Sequence, residues 1–297
     1  LWRLKSTPNQ SEPESREVEC DLAAYASVRA TPDQLVTLRR QPGPVAPGAL
    51  SASFLKNSDE QTVAGLAAVF HAIHNHLPLV SFADWAVLGA PCFLGRAVMA
   101  HALQRFHAEG AWGVSPHLAA HRSLHSLAGT VSLALKSRGP NFGVGGGPGS
   151  AAEALLAAAA LLDDGRVPGV WVVLSGWQTE PIPEPTGKVP GTSVCAALAL
   201  ALVPAQTSWP YVRLRIRSSR RPSGEGTIAL DLFRLEMLLA AVVSGVSWTG
   251  HSLGGGRWLE LEHHGPNRTI RSFRGSHREE GAVRAQSWLG AGAETQR

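Results

Sequence analysis

The sequence predicts an α/β fold in which helices are layered on a mainly parallel β-sheet. Three observations carry that expectation. Between about residues 58 and 205, segments with apolar residues at helical spacing alternate with short, apolar, β-prone runs. Capping residues and glycine stops punctuate the helical segments at the expected ends. The composition, 44% hydrophobic and 17% charged over 297 residues, suits a globular chain with a sizeable buried core.

Residues 1–50 are polar and irregular and close on the proline-rich "RRQPGPVAPGALS", the pattern of a flexible arm or linker. In "SDEQTVAGLAAVFHAIHNH", Val63, Leu66, Ala67, Val69, Phe70 and Ile73 recur at helical spacing behind an expected N-cap at Ser58. "LPLVSFADWAVLGA" reads as a buried strand and "GRAVMAHALQRFHAEG" as a helix stopping at Gly110. "SPHLAAHRSLHSLAGTVSLALKSRG" predicts a single helix with Ser115 as N-cap and Pro116 in the first turn, ending near Gly139. A helix over 151–163 and strands in "PGVWVVLSGWQTE" and "GTSVCAALALALVP" complete a domain over 51–205. In the shortened α/β segment over 206–262, "YVRLRIRS" alternates like a half-exposed strand, "TIALDLFRLEMLLAAVVSG" is helical and "GGGRWLELE" is a short strand. Residues 263–297, rich in Arg, Gly and Ser, are expected to form a disordered basic tail.

Charge and cysteine content exclude several classes. Residues 206–297 carry 13 Arg, no Lys and 8 acids, whereas the preceding 205 residues are close to neutral. The basic surplus sits in the tail, so no nucleic-acid-binding surface is expected. The longest apolar runs, "ALLAAAALL" and "CAALALALV", fall well short of the ~18 residues that span a bilayer. Cys20, Cys92 and Cys195 form no disulfide framework and no metal-ligand spacing. With no secretory apolar stretch near residue 1, a reducing, cytoplasmic setting is the expectation.

The chemistry concentrates in "GPNFGVGGGPGSAAEALLAAAALLDDG", residues 139–165: a short strand, a glycine-rich corner and an alanine-rich helix. Three readings of the corner stand side by side. Ser150 and Glu153 form a capping box, leaving the glycines to turn the backbone. Alternatively Gly145, Gly146, Gly147, Gly149 and Ser150 cradle a ligand, because "GPGSAA" fits the looser dinucleotide fingerprint and a helix N-terminus favours an anion. No acid follows about 20 residues on to complete that fingerprint. In the third reading the corner is an acyl-transfer site, where the helix dipole lowers a nucleophile's pKa and backbone N–H groups hold an oxyanion.

The stretch from Ser137 to Pro181 resembles the central segment of β-ketoacyl synthases, condensing enzymes of the thiolase-like fold. Gly139, Pro140, Gly165, Arg166, Gly176 and Glu180 fall where that family places its Gly-Pro dipeptide, helix end and following strand. "VSPHLAAHRSLHSLAGTVSLAL" and "GTSVCAALALALVP" resemble the flanking helical segment and the strand that ends the family's first half. The resemblance spans about residues 50–205. It implies a thiolase-like layered fold with a truncated second half, since only 92 residues follow position 205. It also implies a place in fatty-acid or polyketide-type acyl-chain assembly. No cofactor or metal follows from it. Homodimerisation or pairing with an active ketosynthase does, as does contact with an acyl carrier protein.

Counted from Gly139-Pro140, the family's nucleophilic Cys falls on Pro148, which has neither a nucleophile nor a backbone N–H. Two functions follow. The chain is a non-catalytic, acyl-binding partner, or it is an acyltransferase or hydrolase using Ser150, His121 or His125. "TGHSLGGG" places His251 in a setting similar to the family's Gly-His-x-x-Gly motif. His117, His121 and His125, at i, i+4 and i+8, would line one face of a regular helix, more as a polar face than as a metal site. Arg213, Arg215 and Arg217 would share one face of a charge-guarded edge strand, where they could also meet a phosphate or an acidic partner.

Overall fold

The structure, a computed structural model, describes residues 17–43, 51, 53–77, 80–179, 192–205, 212–218, 229–246 and 248–263. In order, these form β1 (Glu17–Ala30), α1 (Pro32–Arg40), α2 (Glu60–His76), β2 (Ala86–Pro91), α3 (Arg96–Glu109), a 3-10 turn (Gly110–Gly113), α4 (His117–Arg122), α5 (His125–Leu135), β3 (Asn141–Gly143), α6 (Ser150–Asp163), β4 (Val170–Trp177), β5 (Cys195–Pro204), β6 (Val212–Ser218), α7 (Leu232–Val243), β7 (Trp248–Gly254) and β8 (Arg257–His263).

All eight strands join one sheet in the order β3-β2-β4-β5-β1-β6-β8-β7. The α/β layering is as expected, but the parallel character is narrower than the sequence suggested. β3, β2 and β4 are mutually parallel, and every pairing from β4–β5 to β8–β7 is antiparallel. The two-residue turn between β7 and β8 leaves no room for the crossover that a parallel pair needs.

Strand alternation divides two cores. On one face, Leu198, Leu200 and Leu202 of β5 and Val170, Val172 and Leu174 of β4 meet α6 and α7. On the other, β5 shows Cys195, Ala197, Ala199 and Ala201 before Val203 at its end, and these small side chains let α2 lie close to the sheet. α2 is buried without a break from Gln61 to Phe70, and its Ala and Gly content suits a helix covered on all sides. Trp171, Trp85 and Phe82 close the far end of this core as an edge-and-tilt aromatic cluster.

Several expectations are corrected. Within 1–50, Glu17–Ala30 is no flexible arm: it is a 14-residue strand inside the sheet, followed by α1 with a Thr31–Gln34 capping box. Asp59, one residue beyond Ser58, caps α2 by accepting from the Gln61 N–H. The strand expected in 77–90 begins only at Ala86. The helix expected over 115–139 is two helices. Ser123, at φ −82° and ψ 156°, breaks the chain between them, and Lys136 in the left-handed region ends the second. β6 is internal, between β1 and β8, so it is no edge strand. Residues 1–16, the 44–50 stretch, Glu180 and the tail from 264 lie outside the described residues.

Candidate functional site

β2, β3 and β4 end on the same side of the sheet, where ligands of open α/β sheets gather. The glycine corner lies there. The Val144 N–H donates to Gly89 O at 2.9 Å, and the Phe93 N–H to Gly146 O at 3.1 Å, so both ends of the corner are pinned to β2 and the residues after it. Gly145 turns the chain at φ +76°, a conformation costly to any side chain. Gly143 admits the backbone of Leu124 so closely that an added Cβ would sit 2.3 Å from the Leu124 carbonyl. Pro148 is exposed in the final turn, and α6 starts two residues later.

The capping box is not formed. Gly149 occupies the N-cap with no side-chain hydrogen bond, and Ser150 is the buried first residue of α6. Its own N–H turns back to Gly147 O at 3.0 Å. The carboxylate of Glu153 instead lies over the corner: a Cβ at Gly145 would be 3.6 Å from one of its oxygens, and one at Gly149 3.7 Å from the other. Negative charge therefore already occupies the helix N-terminus. A phosphate at Gly145, Gly146, Gly147, Gly149 and Ser150 would meet that carboxylate, so the cradle is electrostatically poor for an anion.

Beside the corner lies a polar group that the sequence did not single out. Gln61, in the first turn of α2, donates from Nε2 to Cys92 O at 3.0 Å and accepts from Ser175 Oγ at 3.2 Å. The Cys92 N–H donates to Ser175 O at 2.7 Å. Cys92 is a half-buried thiol, in no disulfide, just past the end of β2. Its only sequence signal was its place after an apolar run. The other two thiols are shut away. Burial and the neighbouring acids Asp21 and Glu19 push Cys20 up to about 12, and burial with the charges of Asp59 and Glu60 holds Cys195 well above the usual thiol range.

Asp59 is only 3% exposed. Burial, reinforced by Glu60, pushes its carboxyl up to about 6, against the pull of Arg122, the Gln61 N–H and Arg39. Arg122 Nη1 stands 3.4 Å from Asp59 Oδ2, and both side chains are largely withdrawn from solvent.

The candidate histidines lie on three different elements. His121 lies half-buried on α4. His125 begins α5, exposed, with its ring folded over Gly129 one turn on. The break at Ser123 removes the common face proposed for His117, His121 and His125. His251 is buried on β7, at the opposite edge of the sheet from β3 and the corner. Arg213, Arg215 and Arg217 are each ion-paired across the sheet. Among the described residues, no three His, Cys, Asp or Glu side chains group as a metal site, and no helix is long and apolar enough to cross a membrane.

No family model and no curated protein matches this sequence. Solved structures do. A chain from the ketosynthase (ApeO) in complex with its chain length factor (ApeC) from Xenorhabdus doucetiae aligns with a TM-score of 0.53 at 14% identity, covering 83% of this chain and all of that one. The ishigamide ketosynthase/chain length factor aligns at 17% identity and a TM-score of 0.43, over 66% of this chain and 65% of that one. A β-ketoacyl synthase from Burkholderia phymatum aligns at 12% identity and a TM-score of 0.43, over 65% and 60%. The first of these shows that the chain has the ketosynthase, thiolase-like fold. This chain spans the full length of that relative and about two thirds or less of the other two.

Proposed function

We propose that this chain is a ketosynthase-like subunit of polyketide or fatty-acid-type acyl-chain assembly that forms no acyl-enzyme itself. It binds or bounds the acyl chain as the partner of an active ketosynthase. Pro148 carries this reading: at the exposed turn before α6, it removes the attacking atom and a backbone donor at one position. Ser150 does not replace the thiol, because it is buried in the first turn of α6.

The partner reading has its own support. Among the described residues β3, three residues long, is the edge of the sheet, and Phe142 within it is 46% exposed. Leu133, Phe106 and Trp112 stand out nearby in sequence, at 71%, 54% and 98% exposed. Where such residues adjoin on one face they form the kind of surface that another protein covers. A ketosynthase, or a second copy of this chain, is the proposed cover. A carrier protein would deliver the acyl chain to the pair.

Intact-mass spectrometry after incubation with acyl-phosphopantetheine thioesters tests the reading. The expected result is no adduct on the chain alone and acylation only of an added ketosynthase. A stable adduct on Ser150, His121 or His125 would overturn it.

A further inference from the structure

The segment between β2 and α5 is an excursion from the body. It contains α3, the 3-10 turn and α4, and among the residues of α3 and the turn whose burial is described, only Gly113 is buried. A 14-residue helix with so little packing has little reason to hold its place. Its two ends nevertheless meet. The stem of Arg122, the last residue of α4, lies against Gly95, the cap of α3; a Cβ at Gly95 would be 3.1 Å from Arg122 Cβ and 3.3 Å from its Cδ. The head of Arg122 then reaches the buried carboxylate of Asp59, at the N-terminus of α2. Two residues past Arg122, Leu124 packs against Gly143 and Gly146 of the glycine corner.

We propose that the Asp59–Arg122 pair is a proton-operated latch that clamps both ends of the 95–122 excursion to the body and so holds Leu124 against the corner. The pair is the kind that responds to charge. Breaking a buried ion pair on one side leaves the other charge uncompensated, and here the surviving cation can relieve that only by moving toward water. The groups facing Asp59 set its protonation: Arg122 from α4, Arg39 from the last turn of α1, Glu60 on its own helix, the Gln61 N–H and the Cys195 thiol of β5. Arg39 is itself engaged with Glu60 at 3.2 Å, so it does not substitute for Arg122. Burial raises the Asp59 carboxyl into the mildly acidic range, where its protonation frees Arg122. The latch is independent of whether the corner performs chemistry.

Hydrogen–deuterium exchange of peptides covering 95–124 tests it, at about pH 7.5 and about pH 5, with intrinsic rates corrected to a common pH. The expected result is exchange roughly tenfold faster at the lower pH in this segment, with α2 unchanged. Asp59→Asn keeps a competent N-cap and should exchange fast at both pH values. Should that variant fold poorly, Arg122→Met is predicted to behave the same way. Equal protection of the wild type at both pH values overturns the latch. So does an undiminished pH response in Asp59→Asn, which would assign it to His101, His107, His121 or His125.

Discussion

The two flanks of the sheet are held in opposite ways. On the β3 side, strands, α5 and the corner meet through missing side chains: Gly143 against the Leu124 backbone, Gly145 against Ser150. On the β6 side, the strands meet through charges. Glu17, Glu19 and Asp21 of β1 stand directly opposite Arg217, Arg215 and Arg213 of β6, and Glu260 and Glu262 of β8 stand opposite Arg215 and Arg213. Val18, Cys20, Leu214 and Ile216 alternate with them into the core. A one-residue slip would drive the charges inward, so this ladder specifies register. The first flank is fixed chiefly by backbone-to-backbone fit, the second by the pairing of opposite charges. The candidate site lies on the flank that fixes backbone positions.

That contrast ranks the expected effects. Gly143→Ala should be the most damaging, since its Cβ meets backbone that no rotamer change can clear; a loss of about 3 kcal/mol or more is expected in urea denaturation. Arg213→Met comes next. It takes the guanidinium from Asp21, whose side chain is 4% exposed, and should cost about 3 kcal/mol, measurable by the same titration. A Gly143→Ala variant of near wild-type stability would break the comparison.

The pH dependence sharpens it. Asp59 has its carboxyl raised from 3.8 to about 6 in the folded chain. Between those values the folded state holds a proton that the unfolded state has released. Stability from this group therefore grows as pH falls through about 6 toward 4 and is lost as pH rises through about 6. Relative to Asp59→Asn, the wild type should gain on the order of 2 kcal/mol across that window. Thermal unfolding of both proteins from pH 7 downward measures it, and parallel curves would remove the buried charge from the account. Smallest of all, Arg166→Ala should leave the denaturation midpoint unmoved, because its pair with Asp164 is solvent-exposed.

How legible this was from the sequence varied with the signal. α2, α6, β4 and β5 were plain, because their apolar periodicity is undiluted. β1 was missed although "EVECDL" alternates perfectly: three acids in one face of a strand look like a solvated segment until the arginines of β6 are brought opposite. Ser150 looked like a cap because it precedes Glu153 by three, yet the glycine turn starts the helix one residue earlier and leaves Glu153 to cover the corner. The histidine row failed because Ser123 breaks a helix whose composition predicts continuity. Cys92, Gln61 and Ser175 come from three distant segments, and only the sheet brings them together. The glycine turn itself, between β3 and α6, was readable at once, since it depends on local spacing.

The central proposal is that the corner keeps the turn of an acyl-transfer site and lacks its attacking atom and one backbone donor, both of which a cysteine at 148 would restore. Restoring that atom tests it most directly. Wild type and Pro148→Cys would be incubated with an acyl-phosphopantetheine thioester, and the adducts mapped by peptide mass spectrometry. The account predicts an acyl group on residue 148 of the variant and none on the wild type, Cys92 included. An adduct on the wild type, or a silent thiol at 148 in a folded variant, would contradict it.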